Sequence, residues 1–117
     1  MKLSEIIKIL DATVLTGAIH QDKEFFSCGA SDLMSDILAK TAAGAVILTG
    51  LSTVQAVRTA AVSGVGGLVF VRNKMPSQEI IEMAQEEGIF LLSTPYSMFV
   101  SCGRLYGGGM TGLNGLR

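Results

Sequence analysis

Three times between residues 45 and 106, a run of about five apolar residues is followed by a polar junction and a stretch with helical periodicity, usually closed by a glycine. The units are 45–50 with 52–62 and Gly64, 67–72 with 77–87 and Gly88, and 89–94 with 95–106. A spacing of about 22 residues is near the minimum for a strand plus a three-turn helix. The apolar runs are continuous rather than alternating, which fits parallel strands covered on both faces. In the stretch after Ser77, Ile80, Ile81, Met83 and Ala84 lie largely opposite Glu79, Glu82, Glu86 and Glu87, which predicts an amphipathic surface helix. Ser77 is placed to cap its start and Gly88 its end, and Pro76 keeps the chain from entering the helix early. The helix predicted over 53–63 is different, because Arg58 is its only charged residue. Apolar side chains surround most of its circumference, so both of its sides should be covered.

The first 44 residues are less regular. Ser4 is read as the cap of a short helix carrying Ile6, Ile7, Ile9 and Leu10, and 12–16 as a strand ending at Gly17. Residues 20–24 read as a polar turn and 24–27 as a further short strand. Ser31 opens a helix in which Leu33, Met34, Ile37 and Leu38 recur at helical spacing, with Asp32 favourable in its first turn. From 107 to 117 there are five glycines in eleven residues and no acid, which reads as a flexible tail beyond a single domain over 1–106. Alternating elements, short loops and right-handed crossovers together predict an α/β fold: a three-layer α/β/α sandwich with a mostly parallel sheet of four to five strands.

Composition narrows the function classes. The 117-residue chain carries nine Lys+Arg against ten Asp+Glu, a formal charge of −1, which is not the basic footprint of a nucleic-acid binder. Its mean hydropathy of +0.48 and 49% apolar content raise the question of a membrane span. The longest strongly apolar run, around 64–71, is cut by three glycines and ended by Arg72, far short of the roughly 20 residues a spanning helix needs. With Glu5 and Asp11 near the N-terminus there is no signal-peptide core, so a cytoplasmic protein is expected. Cys28 and Cys102 form no CxxC and read as two small, buried, reduced side chains, bridged or metal-sharing only if the fold brings them together.

Four segments occur in a familiar order. They are Ile9-Leu10-Asp11-Ala12-Thr13-Val14-Leu15-Thr16-Gly17, then Cys28-Gly29-Ala30-Ser31, then Pro76-Ser77-Gln78-Glu79-Ile80, then Leu92-Ser93-Thr94-Pro95-Tyr96 with Phe99. In that order the chain resembles DRTGG domains over roughly residues 1–106, on pattern rather than on one diagnostic motif. Those domains are similar to the N-terminal domain of HPr kinase/phosphorylase, and occur in CBS-domain pyrophosphatases and some phosphotransacetylases. The resemblance implies a non-catalytic α/β module that regulates or assembles, usually by self-association. The family's namesake residues would fall at Leu51-Ser52 and Val71-Arg72-Asn73, and its late acidic residue near Ser97, so none of those side chains is kept. The chain reads as a divergent, stand-alone member, and no residue role is carried over.

In parallel α/β sheets ligands bind beyond the carboxyl ends of the strands, where helix N-termini present free N–H groups. Here those ends supply Thr49, Gly50, Ser52, Thr53, Arg72, Asn73, Ser93 and Thr94, a set of hydroxyls, amides and cationic charge suited to a phosphate or carboxylate. The competing reading makes Ser52 or Thr53 a helix cap and leaves the cations in solvent. No Gly-Lys-Ser/Thr is present, and Gly64-Val65-Gly66-Gly67 precedes a strand, so neither a phosphate loop nor a dinucleotide fingerprint is formed. His20 is the sole histidine and no metal site follows from it. Asp32 and Asp36 share a helical face, as paired carboxylates or as a solvated surface. Ser93, Ser97 and Ser101 have no histidine base, which leaves nucleophilic catalysis unsupported. Two helices offer interface residues: Val54, Val57 and Ala61 in one, and Met98, Val100, Gly103 and Leu105 in the other.

The expected function is therefore a non-catalytic regulatory module forming a homodimer, able to sense a small anionic ligand. A nucleotide or metabolite sensor acting at the strand ends is the alternative, and a phosphoryl-transfer enzyme the weakest reading. No cofactor is expected, and a metabolic or redox enzyme encoded nearby is the kind of protein partner such a module needs.

Overall fold

A computed structural model describes residues 1–17, 20–33, 35–36 and 43–113. Among these, the chain order is α1 (Leu3–Ile9), β1 (Thr13–Val14), β2 (Ser27–Ala30), β3 (Val46–Thr49), α2 (Val54–Val62), β4 (Gly67–Phe70), α3 (Gln78–Glu86), β5 (Phe90–Ser93), α4 (Met98–Gly107) and β6 (Thr111–Gly112). One sheet has the spatial order β1-β5-β4-β3-β2-β6. Every pairing is parallel except β1 with β5. The three repeated units supply β3, β4 and β5, each fully buried, as their unbroken apolar runs predict.

Alternate residues of those strands feed two cores. Ile47, Leu68, Phe70 and Leu91 pack with Val57 and Ala60 of α2 and Ile80 and Ala84 of α3. Val46, Leu48, Val69 and Leu92 face the other way, against Leu3 and Ile6 of α1 and Leu105 of α4. Helices therefore cover both faces, and the three-layer α/β/α arrangement holds, with six strands where four to five were expected. The surplus is the two-residue strand β6 at one sheet margin, in a stretch read as a loose tail. In the second core, Phe90 lies opposite Gly67 across the β4–β5 pairing. Its ring fills the space a Cβ on Gly67 would take, and Phe25 meets it edge-on with centroids 5.2 Å apart. That close approach explains why the turn into β4 ends in glycine.

Local readings differ from the structure at four points. Helix α1 starts before Ser4, with Lys2 at its N-cap and the Glu5 carboxylate accepting the Lys2 N–H at 3.1 Å. The strand expected at 24–27 lies instead at Ser27–Ala30, because Phe25 is drawn into the core and its N–H bonds to Met1 O. Of the strand expected at 12–16 only Thr13–Val14 pairs as a ladder, although Leu15 N–H still reaches Leu91 O. Finally, 107–113 is not loose: Gly107 closes α4, Met110 is buried, and Thr111–Gly112 pair with β2. The remaining residues of that expected tail, and Met34, Ile37 and Leu38 of the expected helix after Ser31, lie outside the described residues.

Candidate functional site

The carboxyl ends of β3, β4 and β5 emerge side by side, and the loops after them carry most of the chemistry. At the end of β3, Gly50 N–H donates to Asp32 Oδ1 at 2.6 Å and Thr49 Oγ1 donates to the same oxygen at 3.2 Å. Thr49 Oγ1 also accepts the Leu51 N–H. The anion-binding donors at this strand end are thus already engaged, by the protein's own carboxylate. A Cβ placed on Gly50 would lie 3.3 Å from that oxygen and 3.5 Å from an Arg72 guanidinium nitrogen, so Asp32 and Arg72 converge on one backbone position. Asp32, a residue the strand-end reading omitted, is central here. Its signal in the sequence was its place just beyond β2, whose own carboxyl end opens onto the same edge.

The loop after β4 holds Arg72 and Asn73 in consecutive left-handed conformations, with φ of 56° and 57°. Asparagine tolerates that region; arginine does so at a cost of roughly 1–2 kcal/mol. The loop is fastened to the exit of β5 by Arg72 N–H to Tyr96 O at 2.9 Å and Asn73 N–H to Thr94 O at 2.8 Å. Both side chains are exposed, as is that of Lys74.

The remaining strand-end residues serve the scaffold. Thr53 caps α2, its side chain accepting the Ala56 N–H at 3.2 Å. Ser52 is half-buried beside it. Ser93 Oγ donates to Lys74 O at 2.9 Å, and Thr94 Oγ1 donates to Leu10 O at 2.6 Å. Both residues are buried, so these hydroxyls brace the loops and α1 rather than face a ligand. Of the eight strand-end residues, Thr49, Gly50 and Arg72 come together, joined by Asp32, while Asn73 lies in the adjoining loop with its side chain exposed. Ser97, weighed as a nucleophile, caps α4 by accepting the Val100 N–H. Asp36 accepts from Ser31 Oγ at 3.0 Å, so the two aspartates do separate work.

Two of the seven interface residues are misplaced by the sequence reading. Val57 is 0% and Leu105 1% exposed, because each lies on the sheet-facing side of its helix. Val54, Ala61 and Met98 are partly buried against the cores, leaving Val100 and Gly103 exposed. The structure instead exposes Phe99, 87% accessible, and half of Tyr106 on the same helix. Arg104 is folded away from that surface, its Nε donating to Ile9 O at 2.7 Å and its guanidinium stacking 4.7 Å from the Tyr96 ring centroid. Helix α2 keeps an exposed Val62, but among Gln55 and Arg58.

Cys28 and Cys102 are free thiols that line one cavity of about 150 Å³ between β2, α4 and β6. Burial, with a smaller contribution from Cys102, pushes the Cys28 thiol up to about 12; burial also raises Cys102. Among the described residues no three His, Cys, Asp or Glu side chains come together as a metal cluster, and no helix is long and apolar enough to cross a membrane.

No match was found among curated proteins. Among solved structures, the chain is similar to the CBS and DRTGG domains of the regulatory region of a Clostridium perfringens pyrophosphatase, a structure complexed with its activator, diadenosine tetraphosphate. The TM-score is 0.75 at 20% identity, covering 89% of this chain and 45% of that one, so the shared property is the fold. The DRTGG domain family itself matches residues 5–106, nearly the whole described chain, and the protein belongs to that family.

Proposed function

We propose that this chain is a non-catalytic regulatory module that self-associates and takes a small anionic ligand, a nucleotide or phosphorylated metabolite, at the carboxyl ends of β3 and β4. The observation that carries the ligand reading is the Asp32 carboxylate held by Gly50 N–H and Thr49 Oγ1 beside Arg72. A site that binds its own carboxylate has the donor geometry for a phosphate oxygen. The Arg72 guanidinium supplies the charge an external anion needs to displace it. A nucleotide activator in the regulatory region of a structural relative is consistent with this class of ligand. Self-association would be the output, with the exposed face of α4 as its surface. The module fits a cytoplasmic homodimer that reports to a metabolic or redox enzyme.

A thermal-shift screen with adenine mono-, di- and triphosphates, diadenosine tetraphosphate and phosphorylated metabolites tests the ligand reading. A ligand at tenfold its Kd adds about 1.4 kcal/mol. Arg72→Ala should abolish the shift. Asp32→Asn should enlarge it, tightening the anion roughly tenfold by removing a competitor worth about one hydrogen bond, while lowering the stability of the ligand-free protein. A flat screen, or a hit indifferent to both variants, removes the site.

A further inference from the structure

The cavity between β2, α4 and β6 contains a chemistry that the strand-end site does not use. Cys28 and Cys102 both line it, each from a different element, and the charge on one is felt by the other. The third sulfur residue on its wall is Met110, buried and brought there by the turn that leads from α4 into β6. The other lining residues include Gly29, Ala30 and Leu105, and none carries a carboxylate or an imidazole. Three sulfur-bearing residues from distant parts of the sequence line one pocket of about 150 Å³, whose other polar side chains are the hydroxyls of Tyr106 and Thr111.

We propose that Cys28, Cys102 and Met110 form a binding site for one soft monovalent d10 metal ion, of the Cu(I) or Ag(I) class. Thiolate and thioether ligands select such ions over the harder divalent cations, and a three-sulfur set suits their low coordination numbers. The hard cations Mg²⁺ and Ca²⁺ find no carboxylate on this wall. Binding is coordination without electron transfer. Each of two S–H bonds is replaced by a metal–sulfur bond, two protons pass to solvent, and the Met110 thioether donates a lone pair without losing a proton. Two thiolates and one monovalent cation leave a net charge of −1 in the site. Each thiol gives up its proton when it binds, so the ion competes with protons for both sulfurs. The site is independent of the strand-end cluster and stands or falls separately from it.

The test is an anaerobic titration of the full chain with Cu(I) supplied as its bicinchoninate complex. One Cu(I) per chain should leave the chelator, with an ultraviolet thiolate-to-copper absorption and release of two protons. Cys28→Ser and Cys102→Ser should each weaken binding by more than the roughly 100-fold that outer-shell changes cost. Met110→Leu should weaken it without abolishing it. Retention of all copper by the chelator, or equal uptake by the Cys28→Ser/Cys102→Ser double variant, overturns the proposal. Should the serine variants fail to fold, alkylation of Cys102, the more accessible thiol, decides: bound Cu(I) should slow its labelling by N-ethylmaleimide in the wild-type chain, and unaltered labelling rejects the site.

Discussion

Arg72 occupies a backbone conformation that its side chain disfavours, with φ of 56° and a second left-handed residue behind it. Strain of this kind persists only where surrounding contacts over-determine the backbone, and here the bonds to Tyr96 O and Thr94 O do so. Because the Arg72 side chain is exposed, its replacement by glycine should remove the strain and sacrifice no packing. Arg72→Gly is therefore expected to stabilise the protein by about 1 kcal/mol in urea melts while abolishing the anion-induced thermal shift. A variant that loses stability instead would mean that the guanidinium supports the fold and not a ligand. Cys28 gives a second prediction at this scale. Its folded-state thiol is raised to about 12, so above the ordinary thiol range the unfolded chain loses a proton that the native protein keeps. Stability contributed by the neutral thiol is complete at neutral pH and is lost as pH rises toward 12, at up to about 1.4 kcal/mol per pH unit. Denaturant melts from pH 8 to 11 should show a steeper decline for the wild type than for Cys28→Ala. Parallel declines would mean that the thiol is more solvated than the structure has it.

At the level of elements, α2 and α4 exchange the roles that their sequences imply. Helix α2 has almost no charge, yet its apolar residues Val57 and Ala60 are spent on the sheet, and its outer side shows Gln55, Arg58 and Val62. Helix α4 turns Leu105 and buried Ser101 inward and leaves Phe99, Val100 and Gly103 outside, with Arg104 folded back onto Ile9 O and Tyr96. An exposed aromatic beside a glycine that has open space above it lets a second helix approach closely. In the proposed homodimer, Phe99→Asp should thus give a monomer in size-exclusion chromatography with light scattering, whereas Val62→Asp should leave the association intact. A dimer that survives Phe99→Asp moves the interface elsewhere. The contrast shows where sequence reading reaches its limit. Periodicity identified β3, β4, β5 and the helices after them, because each unit buries its own unbroken apolar run. It could not say which side of α2 faces the sheet, since nearly every side was apolar. Nor could it find Asp32 beside Gly50 or Cys28 beside Cys102, because those contacts are made by strand order, and strands 2 and 3 become neighbours only once the sheet is assembled. The short strand β6 was equally hidden, as two residues carry no period, whereas β1 was read as the longer strand 12–16.

For the whole molecule, those two short strands decide how the sheet ends. A mostly parallel sheet buried on both faces still has two margins with unpaired N–H and C=O groups, which invite pairing with another chain. Here β1 turns antiparallel against β5 at one margin, and β6 lies parallel to β2 at the other. The β6 margin is held by more than its ladder. Thr111 Oγ1 donates to Phe26 O at 2.6 Å, Met110 is buried in the core shared with α1 and α4, and Leu113 packs over Gly29 and Ile47. Residues 107–113, glycine-rich as they are, therefore close the fold. Deleting 108–117 would strip β2 of its outer neighbour, expose the Cys28 cavity and withdraw the Met110 side chain from the core. Loss of one buried methionine alone costs on the order of 2–5 kcal/mol, a large fraction of the 5–15 kcal/mol typical of a domain. The truncated chain should accordingly melt at markedly lower denaturant and aggregate in a concentration-dependent way through β2, with unpaired backbone as the cause. Replacing Met110 by alanine in the full chain separates the two effects: it should reproduce most of the stability loss and little of the aggregation, because the β2–β6 ladder is still present. If the truncated chain keeps the wild-type midpoint and stays monodisperse, the sheet does not depend on β6, and the margin of β2 is closed by something else.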